Sequence, residues 1–264
     1  MPTERRPVAL VTGASSGIGR GFATRFAARG YDLILIARRR DRLEELAADL
    51  TAEHGVSTTP IDYDLALPEA AAAIAKHLAD GAIEVDALIN CAGFGTAEPF
   101  IDEDAQLIER EIAVDVTAPT LLAHQFLPQL MRSPRGLLLM VSSTASHQPI
   151  PNIAVYAACK AYLTSLTAAI WQESRGTGLR VLALCPGPTE TEFFDAAGSE
   201  RFKVGRVAGV DEVLDAVFRA IDKGNAPVVT VGSVNRLQAL ASKLAPLRVS
   251  LALAERATGA PGHP

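Results

Sequence analysis

The sequence predicts an α/β fold in which one doubly wound, mostly parallel sheet of about seven strands is flanked by helices. Three observations predict it: short apolar runs recur along the chain, segments of helical length separate them, and several runs are apolar without interruption. Uninterrupted apolar runs are typical of strands that are buried on both faces. Strands that alternate with helices form right-handed crossovers, and therefore a parallel sheet.

The predicted elements alternate over most of the chain. The first strand is predicted at residues 7–11, and the second, at 33–37, includes the apolar stretch Leu33-Ile34-Leu35-Ile36. Further strands are predicted at 57–61, 87–89, 136–141, 179–184 and 227–231. The segments of helical length lie at 17–29, 41–54, 68–80, 102–131, 154–176 and 211–222.

Composition narrows the class of protein. The chain has 264 residues and a net charge of -5, which argues against a nucleic-acid partner because such partners need a clustered basic face. No run of about 18 apolar residues is present, as a membrane-spanning helix would need. The three cysteines lack metal-ligand spacing, so we interpret them as reduced packing residues and expect no metal site. We expect a soluble, cytoplasmic protein.

The chain shows no linker, repeat or charge block, so residues 1–264 are interpreted as a single dinucleotide-binding and catalytic domain. Its most irregular stretch, 186–206, follows the sixth predicted strand. Ligands of open α/β sheets bind beyond the carboxyl ends of the strands, so this stretch is a candidate substrate lid.

Residues 233–257 are predicted to form a C-terminal helical extension. Pro246 divides it into two short helices. An apolar stripe, which we predict to pack on the body or on another subunit, runs along it through Leu237, Leu240, Leu244, Leu247 and Leu251. Shallow attachment to a membrane surface is the alternative.

A glycine-rich turn, Thr12-Gly13-Ala14-Ser15-Ser16-Gly17-Ile18-Gly19, follows the first strand and opens the first helix. Gly13 permits a tight turn, Gly17 lets the backbone approach a pyrophosphate, and Gly19 lets helix and strand pack closely. The free N–H groups of the helix suit an anion. The alternative is plain strand-to-helix geometry. The residues predicted to contact a dinucleotide are Gly13, Ser15, Ser16, Gly17, Ile18 and Gly19.

The end of the second strand indicates which dinucleotide is bound. About 20 residues after the glycines lies Arg38, with no acidic residue beside it. Arginine suits the 2′-phosphate of NADP, and Ser15 is a second candidate contact. NADP(H) is therefore favoured over NAD(H), unless the arginines only form a solvated helix start.

Tyr156 and Lys160 lie four residues apart in a predicted helix and therefore share one of its faces. The cation would lower the pKa of the phenol, which is ordinarily near 10, and so fit it for proton exchange. Taken alone, such a pair is also common on protein surfaces. Ser143, at the end of the fifth strand, could hydrogen-bond a substrate oxygen. A serine hydrolase is disfavoured because no Gly-x-Ser-x-Gly elbow surrounds Ser143.

Together these motifs resemble the short-chain dehydrogenase/reductase family over nearly the whole chain. They are, in order, Thr12-Gly-x-x-x-Gly-x-Gly19, Asn90-Cys91-Ala92-Gly93, Ser143, Tyr156-x-x-x-Lys160 and Pro186-Gly187. The resemblance implies a seven-stranded Rossmann-like sheet, hydride transfer between a nicotinamide and a carbonyl or alcohol, and a homodimer or homotetramer. It also implies that the cofactor contacts include Tyr156, Lys160, Asp64, Leu65, Asn90, Ala92, Gly93, Pro186, Gly187, Thr189 and Thr191.

One position departs from the family pattern. Asp115 stands where the family usually has an asparagine that holds a water in a proton relay with the lysine. An aspartate cannot donate as an amide does, and its charge could pair with Lys160 and weaken the effect of Lys160 on Tyr156. Alternatively, Asp115 only caps or packs locally. Asp115 is the one residue that favours a cofactor-binding regulatory or sensor protein with weak or no catalysis.

A small-molecule carbonyl or alcohol is the expected substrate, and Ser143, Phe94, His147 and Phe193 are its candidate contacts. Gln148 and Phe194 are further candidates for the pocket wall. His147 is interpreted equally well as a loop histidine with its hydrogen bonds satisfied.

Overall fold

The computed structural model describes residues 5–258 apart from 198, 203 and 225, so parts of the predicted domain, including two lid positions, lie outside the described residues. The described residues form a seven-stranded parallel sheet of order β3-β2-β1-β4-β5-β6-β7. Its strands are Val8–Thr12 (β1), Asp32–Ala37 (β2), Thr58–Asp62 (β3), Ala87–Asn90 (β4), Leu137–Val141 (β5), Arg180–Cys185 (β6) and Val228–Thr230 (β7). The predicted fold class is confirmed.

Helices cover both faces of the sheet. They are Gly17–Ala27 (α1), Arg40–His54 (α2), Ala70–Asp80 (α3), Ala105–Ile112 (α4), Ala118–Arg132 (α5), Ala154–Glu173 (α6), Phe193–Ala197 (α7), Val210–Lys223 (α8), Ser233–Leu244 (α9) and Leu247–Thr258 (α10). Successive side chains of a strand point to opposite faces. Leu33 and Leu35 therefore join the core under α1, α2 and α8, whereas Ile34 and Ile36 join the core under α3, α5 and α6. Burial on both faces explains the uninterrupted apolar runs.

The sheet order creates a crevice between β1 and β4. From β1 the chain winds outward through β2 and β3, and it then crosses to β4 and winds outward in the other direction. The loops that follow β1 and β4 therefore diverge, and ligands of doubly wound sheets bind at such a point. The Thr12 hydroxyl joins the two strand ends, because it accepts hydrogen bonds from the N–H groups of Cys91 and Ala92, both at 3.0 Å.

The prediction of a single helix over residues 102–131 is wrong. The structure has two α-helices there, joined by the π-helical segment Ala113–Thr117. Asp104 caps α4 by accepting from Gln106 N at 2.8 Å, so the helix begins after residue 104. Pro119 has no N–H group to donate, and it lies in the first turn of α5, where a proline is well tolerated. The wider π spacing appears just before it, where Ala118 N–H bonds to Ala113 O. Such segments are frequent at functional sites.

The C-terminal extension consists of α9 and α10, separated at Ala245 and Pro246. Leu237, Leu240, Leu244 and Leu247 are each more than half exposed, so this part of the stripe does not pack on the body of its own chain, whereas Leu251 is partly buried. The opposite face of α9 adjoins the cleft described below. No helix among the described residues has both the length and the hydropathy needed to span a bilayer.

Candidate active site

A cleft of about 620 Å³ lies at the carboxyl ends of the strands. Every site residue predicted from the sequence lines it, except for Asn90 and Asp115, which lie behind its wall. The structure therefore brings together the glycine-rich turn, the end of β2 and the Tyr156 helix. Its volume is within the range typical of ligand pockets, roughly 300–1,000 Å³.

The glycine-rich turn leaves room that side chains would fill. Gly13 has φ +68°, and a Cβ there would lie 2.9 Å from Ala92 Cα. Gly17 has φ +52°, and a Cβ there would lie 2.9 Å from Thr191 Cγ2. The positive φ angles favour glycine, and the absent side chains leave backbone N–H groups open at the start of α1. This cradle fits the pyrophosphate of a dinucleotide.

Two arginines follow β2 at the edge of the cleft. Arg38 is exposed and lines the cleft. Arg39, which the sequence analysis did not select, reaches across the turn: its Nη2 donates to Ser15 Oγ at 2.9 Å and to Ser16 Oγ at 2.8 Å. The run of three arginines pointed to this place but not to which of them turns inward.

Glu192 faces these arginines from the segment after β6. Its two carboxylate oxygens lie 2.6 Å from Arg39 Nη1 and 2.6 Å from Arg42 Nη1. The hydrogen bonds with Arg39 and Arg42 lower the pKa of Glu192 below its ordinary value. An anionic group therefore already occupies part of the arginine site.

Residues implied by the family resemblance surround the adenosine end of the cleft. Asp64 Oδ2 pairs with Arg110 Nη2 at 2.6 Å, and Asp64 Oδ1 accepts from Ala66 N at 3.0 Å. Asn90 is buried, and its Nδ2 donates to Pro119 O at 3.3 Å. Asn90 thus holds the end of β4 against α5 and does not reach the cleft directly.

The segment after β6 lines the other end of the cleft. A Cβ on Gly187 would lie 2.7 Å from Asn235 Nδ2, so this glycine allows α9 to approach. Thr189 Oγ1 donates to Gly187 O at 2.9 Å, and Thr191 Oγ1 donates to Thr189 O at 3.2 Å. These hydroxyls stabilise the turn that carries the segment back toward the glycine-rich turn.

Tyr156 and Ser143 meet at the end of β5. Ser143 lowers the pKa of Tyr156 against the larger effect of burial, and its Oγ accepts from Ala145 N at 3.1 Å. The neighbouring Ser142 instead donates to Lys160 O at 2.8 Å and contacts Thr164 Oγ1 at 2.7 Å. Both serines line the cleft, but the Ser142 hydroxyl is engaged in fastening β5 to α6, so Ser143 is the better candidate to contact a substrate.

Lys160 forms a buried ion pair beneath Tyr156. Its Nζ lies 2.7 Å from Asp115 Oδ2, and the two side chains are 5 % and 0 % exposed. The other oxygen, Oδ1, accepts from Phe94 N at 3.1 Å. Burial alone would lower the pKa of Lys160, but the charges of Asp115 and Tyr156 raise it above its ordinary value. Lys160 is therefore a fixed cation, 5.4 Å from the centre of the Tyr156 ring.

Aromatic side chains cover the Tyr156 ring. Phe202 lies 5.2 Å from it and Phe193 5.6 Å, measured between ring centres. Gly95 closes the third side, since a Cβ there would lie 2.8 Å from Tyr156 Cδ2. Burial raises the pKa of Tyr156, against the lowering effects of Lys160 and Ser143. Phe202 was not selected from the sequence, because its stretch has no periodic pattern.

The region behind Asp115 holds a carboxyl that the sequence analysis also missed. Glu111, on α4, is 0 % exposed. Burial and the nearby charge of Asp115 raise its pKa to about 7, against hydrogen bonds from Thr96 that lower it. The sequence feature that could have indicated Glu111 is its spacing of four residues from Asp115.

Within the described residues, no group of three or more His, Cys, Asp or Glu side chains could hold a metal ion.

The candidate substrate contact His147 is held by the body of the protein. Its Nε2 lies 3.2 Å from Thr230 Oγ1, and its carbonyl accepts from Ser242 Oγ at 3.1 Å. Burial and the charge of Lys243 lower its pKa, so the ring is neutral near pH 7. His147 thus joins β7 and α9 at the wall of the cleft.

The chain is similar to short-chain dehydrogenases in both sequence and structure. The family model for short chain dehydrogenases matches residues 7–201. A short chain dehydrogenase from Pseudocercospora fijiensis is 36 % identical over 186 residues, and the alignment covers 70 % of this chain and only 60 % of that relative. The chain thus spans less than two thirds of the length of this relative.

Two solved structures are similar over most of their length. A short-chain dehydrogenase from Sphingobium yanoikuyae in complex with NADPH has 35 % identity and a TM-score of 0.81, covering 90 % of this chain and 93 % of that one. A bulky-bulky ketone specific alcohol dehydrogenase from Comamonas testosteroni has 29 % identity and a TM-score of 0.77, covering 91 % and 94 %.

Proposed function

This chain belongs to the short-chain dehydrogenase/reductase family. On that premise we propose that it is an NADP(H)-preferring oxidoreductase that interconverts a carbonyl compound and an alcohol, with Tyr156 as general acid and base. One observation carries the proposal: Tyr156 and Ser143 line the same cleft as the glycine-rich turn, and the buried Lys160 cation lies 5.4 Å from the centre of the Tyr156 ring.

Tyr156, Ser143 and Lys160 have different roles in the proposed reaction. When bound, the nicotinamide supplies or accepts the hydride. In the reducing direction, Tyr156 donates its phenolic proton to the substrate oxygen, and the Ser143 hydroxyl orients that oxygen. The Lys160 cation stabilises the phenolate that remains. In the oxidising direction, the phenolate removes the proton from the alcohol.

The cofactor preference rests on the arginines after β2. Gly13 and Gly17 would receive the pyrophosphate, and Lys160 has donors for the nicotinamide ribose. Arg38 and Arg39 would contact a 2′-phosphate, with Ser15 beside them. The similarity to a structure in complex with NADPH supports this assignment.

The alternative of a sensor without catalysis depended on Asp115. In the structure Asp115 keeps Lys160 charged and fixed under the tyrosine, and it leaves the phenol facing the cleft beside Ser143. This arrangement favours the enzyme, although the negative charge of Asp115 also raises the pKa of Tyr156.

We assign the substrate to the class of apolar ketones, aldehydes or the corresponding alcohols. The wall around Tyr156 is built from Phe193, Phe202 and Phe94, and such a wall favours apolar groups. The likeness to a dehydrogenase that is specific for bulky-bulky ketones supports this class.

A homodimer or homotetramer built on α4, α5 and α6 completes the proposal. These helices expose Leu107, Ile112, Leu121 and Tyr162 by 41–45 % each. Apolar side chains grouped on neighbouring helices are typical of subunit interfaces. Light scattering coupled to size exclusion tests this: a monomer at micromolar concentration would contradict it.

The central test is Tyr156→Phe, which removes the phenolic proton and leaves the ring. We expect kcat to fall roughly 10²- to 10⁴-fold while NADPH binding, measured by fluorescence titration, is nearly unchanged. Tyr162→Phe, on the same helix and 42 % exposed, is the matched control and should retain activity. The assignment is wrong if Tyr156→Phe keeps the wild-type kcat on a substrate that the wild type turns over.

A further inference from the structure

Helices α9 and α10 expose leucine side chains to a degree that no other part of the described structure matches. Five leucines on these helices are each more than half exposed, and no leucine elsewhere in the described residues is. We call them the exposed leucines: Leu237, Leu240, Leu244, Leu247 and Leu253. Apolar side chains grouped in this way on a surface mark a site of contact with another molecule or with a membrane.

Basic side chains accompany the exposed leucines. Residues 233–258 include four basic residues and one acidic residue, whereas the whole chain has 25 basic and 30 acidic residues. Arg236 lies four residues before Leu240 and Lys243 three residues after it, so both cations flank Leu240 on the surface of α9. Both are exposed, as are Arg248 and Arg256 on α10. The contact surface is therefore apolar and cationic, and it favours an anionic partner.

A second copy of this chain fits that surface less well than a lipid does. In a two-fold symmetric contact the same patch lies on both sides, so Arg236 and Lys243 would approach their own copies. Helix α9 has no acidic residue that could compensate this repulsion. The helices proposed above as the subunit surface, α4 to α6, are also different ones. An anionic bilayer, in contrast, offers both acyl chains and negative headgroups.

We propose that α9 and α10 dock on an anionic lipid surface, with the exposed leucines at the acyl boundary and the basic side chains at the headgroups. Helices with one apolar side and flanking Lys or Arg residues bind in the plane of the interface in this way. The long stems of Arg236 and Lys243 can lie along apolar surface while their charges stay at the headgroups.

Docking also bears on how a substrate reaches the cleft, and in this part the inference rests on the proposed function. Helices α9 and α10 form one wall of the cleft, to which Asn235, Ser242 and Ala254 contribute. Leu253 lines the cleft and is at the same time one of the exposed leucines. The cleft therefore meets the docking surface at Leu253, so an apolar carbonyl compound dissolved in the lipid can enter from there.

Cosedimentation of the full chain with vesicles tests the docking without any turnover. One set of vesicles contains phosphatidylcholine and phosphatidylglycerol in equal parts, and the other contains phosphatidylcholine alone. We expect binding to the mixed vesicles to be at least roughly tenfold tighter, because each basic side chain near an anionic surface adds to the affinity. Added salt should weaken it.

The double variant Leu237→Ser, Leu244→Ser removes two of the exposed leucines without touching the cleft. We expect its binding to the mixed vesicles to fall roughly 100-fold, the value of two apolar side chains that no longer leave water. Ile101→Ser, 90 % exposed in the loop before α4, is the matched control and should bind as the wild type does.

The double variant Arg236→Glu, Lys243→Glu tests the cationic part of the surface. We expect its binding to the mixed vesicles to fall at least roughly tenfold. Arg132→Glu combined with Arg219→Glu changes the net charge equally at exposed positions elsewhere, and should leave binding nearly unchanged.

Substrate entry is tested with decanal, an aldehyde that partitions into lipid. Without vesicles the leucine double variant should reduce decanal with the wild-type kcat/KM. With the mixed vesicles its kcat/KM should fall several-fold below that of the wild type, because the variant no longer reaches the lipid that holds the aldehyde. Equal values for the two proteins in the presence of vesicles would overturn entry from the lipid.

The remaining outcomes separate docking from a subunit contact and from the proposed function. Docking is overturned if the wild type binds neither kind of vesicle, or binds both equally. It is also overturned if light scattering shows that the leucine double variant loses the oligomeric mass of the wild type, since the leucines then form a subunit interface. If the wild type reduces no carbonyl compound, the proposed function fails, while cosedimentation still decides the docking.

Discussion

Two of the ion pairs at the cleft are nearly equal in length but have very different surroundings. Lys160 Nζ lies 2.7 Å from Asp115 Oδ2 with both side chains buried, whereas Arg39 Nη1 lies 2.6 Å from Glu192 Oε2 with side chains that are 40 % and 48 % exposed. Water competes with the second pair and is excluded from the first. Separation alone therefore does not indicate what an ion pair does.

The buried pair fixes a catalytic charge, and the exposed pair can exchange its partner. Removing either charge from the buried pair leaves the other charge unpaired in the interior, which costs several kcal/mol of stability, about 3–5. The pair under Tyr156 is therefore held in one arrangement. An exposed pair contributes only about 0–1 kcal/mol. Glu192 can thus give way when a phosphate reaches Arg39, which binds phosphate as readily as carboxylate.

The largest difference between the pairs should appear in stability. Lys160→Met leaves Asp115 buried and unpaired, and we expect the free energy of unfolding to fall by about 3–5 kcal/mol. Arg42→Met, which breaks one of the two exposed contacts of Glu192, should change it by less than about 1 kcal/mol. Urea unfolding at pH 8 measures both. Equal losses in the two variants would contradict the contrast.

A buried carboxyl without a cation sharpens the comparison. The pKa of Glu111 is raised from 4.5 to about 7, chiefly by burial, so the folded protein binds more protons than the unfolded chain between these values. Below pH 4.5 Glu111 is protonated in both states and does not lower the free energy of unfolding. As the pH rises from 4.5 to 7, Glu111 lowers that free energy, because the unfolded chain releases its proton first. The loss should be on the order of 1–3 kcal/mol.

Glu111→Gln removes this titration and supplies the measurement. The difference in unfolding free energy between wild type and variant should grow in favour of the variant from pH 4.5 to pH 7 and then level off. Glu109→Gln, at an exposed position, should show no such trend. A difference that stays constant with pH would mean that Glu111 ionises as it does in the unfolded chain.

The sequence predicted the features that depend only on residues close together in the chain, and it missed those that depend on how distant elements pack. The positive φ of Gly13 and the helical spacing of Tyr156 and Lys160 are local, so a short motif is enough to find them. The inward turn of Arg39 depends on how α2 leaves the sheet, and neighbouring arginines look alike in sequence. The burial of Glu111 arises only when α4 packs beside α6, and charged neighbours on α4 conceal it.

The expected single helix over 102–131 failed for a related reason. Apolar periodicity continues through the region, but the π-helical segment Ala113–Thr117 divides it just before Pro119, the second residue of α5. That segment carries Asp115 into the interior, so the same irregularity hid both the helix boundary and the buried charge cluster.

The smallest expected effect concerns the exposed pair and the choice of cofactor. Glu192→Gln removes a carboxylate that competes with a 2′-phosphate for Arg39 and Arg42. We therefore expect NADPH to bind roughly two- to fivefold more tightly, a change that corresponds to the free energy of an exposed ion pair. NADH lacks that phosphate, so its affinity should not rise.

Titration of both cofactors at low and moderate salt measures the effect, which should shrink as salt increases. Glu190→Gln, exposed two residues earlier, is the control for a general loss of negative charge. If Glu192→Gln strengthens NADH and NADPH binding equally, Glu192 does not compete with the phosphate, and the exposed pair has no part in cofactor choice.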